Sequence, residues 1–219
     1  MNFIDWGIIP YSTAYEKQKE LFEQALNAKS NNQKVNNTLI FCEHPHVITV
    51  GKNGKFSNLL YSENILKDKG VSLFHINRGG DVTYHGPGQL VVYPIFNLES
   101  FQLGLKSYIH LLEEVIIRLL AGYGIKSERL EGASGVWLDT DNPQKARKIC
   151  AIGVKTSRYV TMHGLALNIN TDLNYFRLIN PCGFIDKGVT SMQIELGKEI
   201  DLNVVKKQLL EIFKDIFQQ

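Results

Sequence analysis

The stretch Arg78-Gly79-Gly80-Asp81-Val82-Thr83-Tyr84-His85-Gly86-Pro87-Gly88-Gln89, continuing through Tyr93-Pro94-Ile95, constrains this chain more than any other. An alternating run through Val71, Leu73, Phe74 and Ile76 leads in and an apolar run leads out, so the block predicts strand, turn, strand, turn, strand. Gly79 and Gly80 let backbone approach a ligand or take positive φ without Cβ strain. Pro87-Gly88 is a turn pair whose glycine supplies positive φ. Packed among these breakers are a guanidinium, a hydroxyl, a phenol, an imidazole and a carboxamide. Two plain turns whose polar groups satisfy each other are the simple alternative, but a turn needs none of that chemistry. The block is expected to hold a ligand.

Around it the chain reads as strands in runs with few helices, which predicts an α+β fold rather than alternating βαβ units. A first strand over Phe3–Ile9 ends at Pro10. Thr13 and Glu16 fit a capping box, opening a helix with Tyr15, Phe22 and Leu26 on its apolar face and its end near Asn27. Lys29–Asn37 is a polar, Asn-rich surface loop. Strands follow at Thr38–Cys42 and Val47–Val50, separated by Glu43-His44-Pro45-His46. Those two histidines lack a carboxylate or cysteine set to complete a metal site, so Pro45 marks a turn and no metal is expected. Gly51-Lys52-Asn53-Gly54-Lys55 lacks the spacing of a phosphate-binding loop. Leu105, Ile109, Leu112, Ile116 and Leu119 form a core helix stopped by Gly122 and Gly124. Strands are expected at Lys126–Arg129, Gly135–Leu138, Arg147–Val154 and Arg158–Met162. His163-Gly164 should act as a breaker before Leu165–Ile169. Asp201 caps a last helix buried through Val205, Leu209, Ile212 and Ile216.

With 219 residues, 44% of them hydrophobic, the chain can bury a full core and is expected to form a single catalytic domain over 1–219. No apolar run approaches the roughly 18 residues of a membrane span, and no signal peptide is visible. Cys42, Cys150 and Cys182, without Cys-x-x-Cys spacing, suit a reducing cytoplasm. A net charge of +2 argues against nucleic acid as partner. Lys52, Lys55, Arg78 and Arg158 are possible docking contacts for acidic partner proteins.

Cys182 sits in Asn180-Pro181-Cys182-Gly183, a loop context in which a substrate could reach a thiol. Cys150 lies inside an apolar strand and reads as inert core, as does Cys42. A thiol of ordinary pKa, about 8.5, needs a nearby cation to become a competent nucleophile at neutral pH. Lys148 is a candidate at the mouth of a strand that buries an Ile149, Ala151 and Gly153 face. Taken alone, it reads far more readily as a solvated edge lysine.

The block from Arg78 to Pro94 resembles the signature of the lipoyl(octanoyl) transferases. So do Lys148-Ile149 with Ile152-Gly153-Val154, and His163-Gly164 with Ala166-Leu167-Asn168, Asn170 and Asp172-Leu173. Pro181-Cys182-Gly183 followed by Val189-Thr190-Ser191 completes an ordered match over roughly residues 3 to 195. The resemblance implies the fold of biotin and lipoate ligases: a mixed larger sheet, a second smaller sheet and helices outside. It implies acyl transfer from octanoyl-acyl carrier protein to the target lysine of lipoyl domains of 2-oxoacid dehydrogenase complexes and of glycine cleavage H protein. Cys182 would carry a thioester intermediate, and Lys148 would lower its pKa and shuttle the proton of the attacking amine. Arg78, Gly79, Gly80, Asp81, Val82, Thr83, Tyr84 and His85 would line the acyl pocket, with Ala151, Ile152 and Gly153, and with Gly164, Leu165 and Ala166. A thioester donor is already activated, so no cofactor is expected. An ATP-dependent ligase, a non-catalytic carrier-binding module and a thioesterase are the competing readings.

Overall fold

Strands that are apolar on both faces need two covers, and the central strands of this chain alternate between two sets of buried residues. The computed structural model describes residues 1–180 and 188–217. In chain order the elements are β1 (Asn2–Ile8), α1 (Tyr11–Ser30), β2 (Thr38–Glu43), β3 (Val47–Val50), α2 (Glu63–Asp68), β4 (Ser72–His75), β5 (Val82–His85), β6 (Gln89–Ile95), α3 (Leu105–Gly122), β7 (Glu128–Leu130), β8 (Ala133–Leu138), β9 (Arg147–Ser157), β10 (Val160–Asn168), β11 (Gly188–Val189), α4 (Met192–Leu196) and α5 (Leu202–Phe217). Among the described residues the larger sheet runs β1-β2-β6-β10-β9-β8-β7, with β11 added beside β9, and a smaller one runs β4-β3-β5. The larger sheet is mixed: β1 lies parallel to β2 and β11 to β9, while the other pairs are antiparallel.

Leu39, Phe41, Leu90, Val92, Leu165 and Leu167 point to one face and pack with Leu112, Ile116, Leu209 and Phe213 of α3 and α5. Ile40, Cys42, Val91, Tyr93 and Ala166 point to the other and pack with Ala14, Phe22 and Ala25 of α1. The smaller sheet has its own core around Ile48, Val82 and Tyr84. No described helix is long and apolar enough to cross a membrane.

Several expectations need correcting. α1 starts at Tyr11 behind Pro10 and has no side-chain cap, so Thr13 and Glu16 form no capping box. Proline is well suited to a helix start, and Ala14 N–H already bonds the Pro10 carbonyl at 3.0 Å. The helix continues past Asn27 to Ser30. His44 and His46 connect two different sheets rather than one pair of strands. α5 buries Val205, Leu209, Phe213 and Phe217, a spacing of four; Ile212 and Ile216 flank this stripe half-buried. Asp201 does accept from Asn203 N–H at the start of α5, at 2.8 Å.

His163-Gly164 does not break β10, which pairs with β9 without interruption from Val160 to Leu167. Pairing with β6, by contrast, begins only at Leu165. His163 takes a positive φ of 63° at that junction. Gly164 comes so close to β6 that a Cβ would lie 2.1 Å from the Val92 carbonyl oxygen. The two residues thus twist a continuous strand away from β6 instead of ending it. The β9–β10 hairpin turns at Arg158 and Tyr159, both at positive φ, with no glycine to help. Gly164→Ala must displace β6 backbone. We expect it to destabilise the fold by about 1–3 kcal/mol, read as a lowered urea midpoint.

Candidate active site

Two sheets meet across the Arg78–Asp81 loop, and the meeting is made of backbone. Gly79 N–H donates to the Val154 carbonyl of β9 at 3.0 Å, while Gly51 N–H bonds Asp81 O and Lys52 N–H bonds Arg78 O. A Cβ on Gly153 would stand 2.9 Å from Gly79 O, and one on Gly51 would stand 2.4 Å from Gly80 O. Arg78 is buried inside this junction. Its Nη2 donates to Thr49 O and Thr49 Oγ1, and its Nη1 to Gly79 O, each at 2.9 Å. The residue offered as a docking contact is therefore internal. Lys52, Lys55 and Arg158 are exposed, and Arg158 bonds Ser30 Oγ at 2.8 Å.

Beside the junction lies a cavity of about 630 Å³. Its lining includes Arg78, Gly79, Gly80, Asp81, Val82, Thr83 and His85, then Ala151, Ile152 and Gly153, then Gly164, Leu165 and Ala166, and also Lys148. Three stretches far apart in sequence therefore converge. Tyr84 is the exception: it is buried in the smaller sheet's core, its hydroxyl 2.7 Å from His46 Nδ1 and its ring against Tyr175 and Phe176. Strand alternation explains this, since Tyr84 points opposite to Thr83 and His85.

Lys148 reaches the cavity through a fault in the ladder. Val136 pairs with Cys150 but Trp137 pairs with Lys148, so Ile149 is an extra residue in β9. The expected alternation fails there, and Ile149 and Cys150 both enter the core facing α3. The Lys148 ammonium sits 4.5 Å from the Trp137 ring centroid, within reach of a cation–π contact. On its other side β11 pairs with Arg147 and Lys148, so Gly188 and Val189 also line the cavity. Cys182 lies outside the described residues. Burial pushes the thiols of Cys42 and Cys150 well up, in keeping with inert core positions.

Hydrogen-bond direction fixes one histidine completely. Asn168 Nδ2 donates to the Thr190 carbonyl at 3.0 Å, so its Oδ1 must be the acceptor for Gln89 Nε2 at 2.9 Å. Gln89 Oε1 then accepts, and His85 Nδ1 carries the proton across 2.7 Å. Elsewhere, His44 Nδ1 donates to Ile9 O at 2.8 Å, leaving Nε2 to accept from the Tyr93 hydroxyl at 2.7 Å. Burial lowers His44 to about 4, and burial with help from Arg78 lowers His85 and His163 to about 3. All three are neutral at physiological pH. Tyr11 and Trp137 join the lining without having been singled out in the sequence, and Tyr93 and Asn168, quoted there only as motif residues, join it too.

The matching family model is that of the lipoyl protein ligase A/B catalytic domain, over residues 14–214. A relative from Parabacteroides distasonis, named octanoyltransferase, is 62% identical, with 99% of this chain and 98% of that protein aligned. One from Bacteroides fragilis with the same name is 62% identical over 94% of this chain and 92% of its own. Among solved structures, a bi-partite lipoate protein ligase from Thermoplasma acidophilum superposes with a TM-score of 0.74 at 14% identity, covering 99% of this chain and 83% of that one. At that identity the likeness concerns the fold.

The three neutral histidines make the fold acid-sensitive. Below about pH 6.5 the unfolded chain takes up protons that the folded chain refuses. Stability is therefore full above pH 6.5 and falls towards pH 3–4, by up to about 1.4 kcal/mol per pH unit for each histidine. A urea midpoint lower at pH 5 than at pH 7 is expected, with the ring-proton shifts of all three flat between those values.

Proposed function

We propose that this chain, which belongs to the lipoyl protein ligase A/B catalytic-domain family, is an octanoyltransferase working as one catalytic domain over 1–219. It takes an octanoyl group from an acyl donor and places it on a lysine of a lipoyl-domain acceptor. The observation that carries the reading is the shared name of relatives 62% identical over nearly the whole chain. The cavity supports it: its lining is partly apolar and includes Lys148, with β11 paired beside that lysine. In finer detail, the donor is octanoyl-acyl carrier protein, and the acceptors include lipoyl domains of 2-oxoacid dehydrogenase complexes and glycine cleavage H protein. The free thiols of Cys42 and Cys150 accord with a reducing cytoplasm.

In the first step the thiolate of Cys182 attacks the donor carbonyl, a new carbon–sulfur bond forms as the donor's own breaks, and the departing carrier thiolate takes a proton from the Lys148 ammonium, leaving that lysine neutral. One thioester replaces another, so this step is close to neutral in energy. In the second step the acceptor amine attacks the Cys182 thioester, an amide forms, and Cys182 departs. The Lys148 ammonium favours the thiolate before the first step, and the neutral amine left after that step accepts the attacking amine's proton in the second, while Cys182 departs as the thiolate. Lowering an ordinary thiol by about 1.5 units would half-ionise it near pH 7. Amides near Gly153 or Gly164 are available to the oxyanion that forms in each step. The line of Arg78–Thr83 and His85, Ala151–Gly153 and Gly164–Ala166 holds the chain. Each buried methylene contributes about 0.8 kcal/mol, so eight carbons supply several kcal/mol while one more or less changes selectivity by about 10–200-fold.

After incubation with octanoyl-acyl carrier protein, mass spectrometry should find one octanoyl group on Cys182, absent in Cys182→Ala. Lys148→Ala should lose about 10²–10⁴ in transfer rate. Lipoylation that instead requires ATP and free acid, and that survives Cys182→Ala, would assign the chain to the ligases. Acyl chains from four to sixteen carbons should be transferred at rates that peak near eight; equal rates would refute a closed slot.

A further inference from the structure

The segment that bears Cys182 is pinned at both ends by described residues. Before it, Asn180 N–H donates to Asn58 O at 2.8 Å; after it, Gly188 N–H donates to Ala146 O at 3.0 Å. The return strand β11 is only two residues long, too short to hold its own register against β9. Two further clamps hold it at Thr190, whose N–H bonds the Lys148 carbonyl at 2.9 Å. Thr190 Oγ1 donates to Glu195 Oε1 at 2.5 Å, and Glu195 in turn accepts both Nε and Nη2 of Arg147 at 2.8 Å. From the other side, Asn168 Nδ2 takes the Thr190 carbonyl.

The second clamp is the buried one. Asn168 is 4% exposed, and its amide is spent entirely between Thr190 and Gln89, which is itself 2% exposed. Water does not compete there, so the relay from His85 through Gln89 and Asn168 to Thr190 has one direction and one geometry. Removing the Asn168 amide takes the buried Thr190 carbonyl's side-chain donor away and leaves Gln89 Nε2 with only its bond to Tyr84 O at 3.2 Å. The backbone that would shift in response is the one bonded to Lys148.

We propose that Asn168 is a positioning residue for the transfer: by holding Thr190 against the backbone of Lys148, it sets the register between the strand bearing the lysine and the return of the segment bearing Cys182. The inference rests on the reading of Cys182 and Lys148 as the reacting pair. A displacement near 1 Å between reacting groups costs on the order of 10²-fold in rate. Asn168 lies on the cavity wall, and the role assigned to it here is exerted on the reacting pair through Thr190 rather than in the chemistry itself.

Asn168→Leu keeps the forked side-chain shape and its number of heavy atoms and deletes both hydrogen bonds. Three quantities decide: the single-turnover rate of acylation at Cys182, the donor KM, and the pH midpoint of Cys182 alkylation by iodoacetamide, located by mass spectrometry. The expected result is a loss on the order of 10²-fold in rate with donor KM nearly unchanged. The alkylation midpoint should also rise towards the ordinary thiol value of about 8.5. A folded variant with the wild-type rate and midpoint overturns the proposal. Should Asn168→Leu lose its cooperative melt, Glu195→Ala loosens the outer clamp with the relay intact. The same two shifts, smaller, are expected there, and their absence overturns the proposal equally. Wild-type protein that takes no acyl group on Cys182 would instead sink the underlying reading, a result visible before any variant is compared.

Discussion

The Arg78 guanidinium, buried between two sheets, is the interaction on which the rest of the cavity depends. Its bonds to Thr49 O, Thr49 Oγ1 and Gly79 O tie the loop before β5 to strand β3, while Gly79 N–H ties the same loop to β9. A lysine could not replace it, because a point charge cannot divide planar donors among three acceptors. The price is a positive charge in the interior, and the surroundings are arranged to tolerate it. His85 and His163 stay neutral nearby, with Arg78 among the causes of their lowered pKa.

Glycines perform the complementary task. Gly51, Gly79 and Gly153 let three stretches of backbone pack at distances that a Cβ would close, and Gly164 does the same between β10 and β6. The walls of the slot are therefore partly peptide rather than side chain. This leaves amide groups close to whatever lies in it, and suits a reaction whose transition states carry charge on oxygen. The apolar contribution comes from ordinary core residues such as Val91, Leu165 and Ile152. Polar function and hydrophobic burial thus share the same strands, with alternation deciding which side chain serves which.

Much of this was legible from residue types. The double glycine, the Pro87-Gly88 turn and the apolar runs around them marked β4, β5 and β6 in their observed places, and Cys42 and Cys150 were recognisable as core thiols. Local readings failed in three places. Thr13 and Glu16 satisfy a capping pattern, yet Pro10 caps the helix three residues sooner. His163-Gly164 has the composition of a break, yet β9 pairs straight through it. Tyr84 stands among cavity residues in sequence but faces the opposite side of its strand. Pro10 and the alternation of β5 are signals close by in the chain, and only at His163-Gly164 does the deciding contact come from a strand that local pattern cannot see.

What the amino-acid order determined alone is the set of chemical groups and their local geometry: which stretches are extended, where the backbone can turn or come close, and which motifs recur in the lipoyl protein ligase A/B family. These are matters of neighbours within a few residues, governed by sterics and periodicity. Only the tertiary structure decided that the extra residue Ile149 turns Lys148 into the cavity, that Arg78 is structural rather than a surface contact, and that one amide relay runs from His85 to Thr190. Those facts depend on strand register and on the direction of buried hydrogen bonds. Both are fixed by partners tens of residues away, so no reading of adjacent residues contains them.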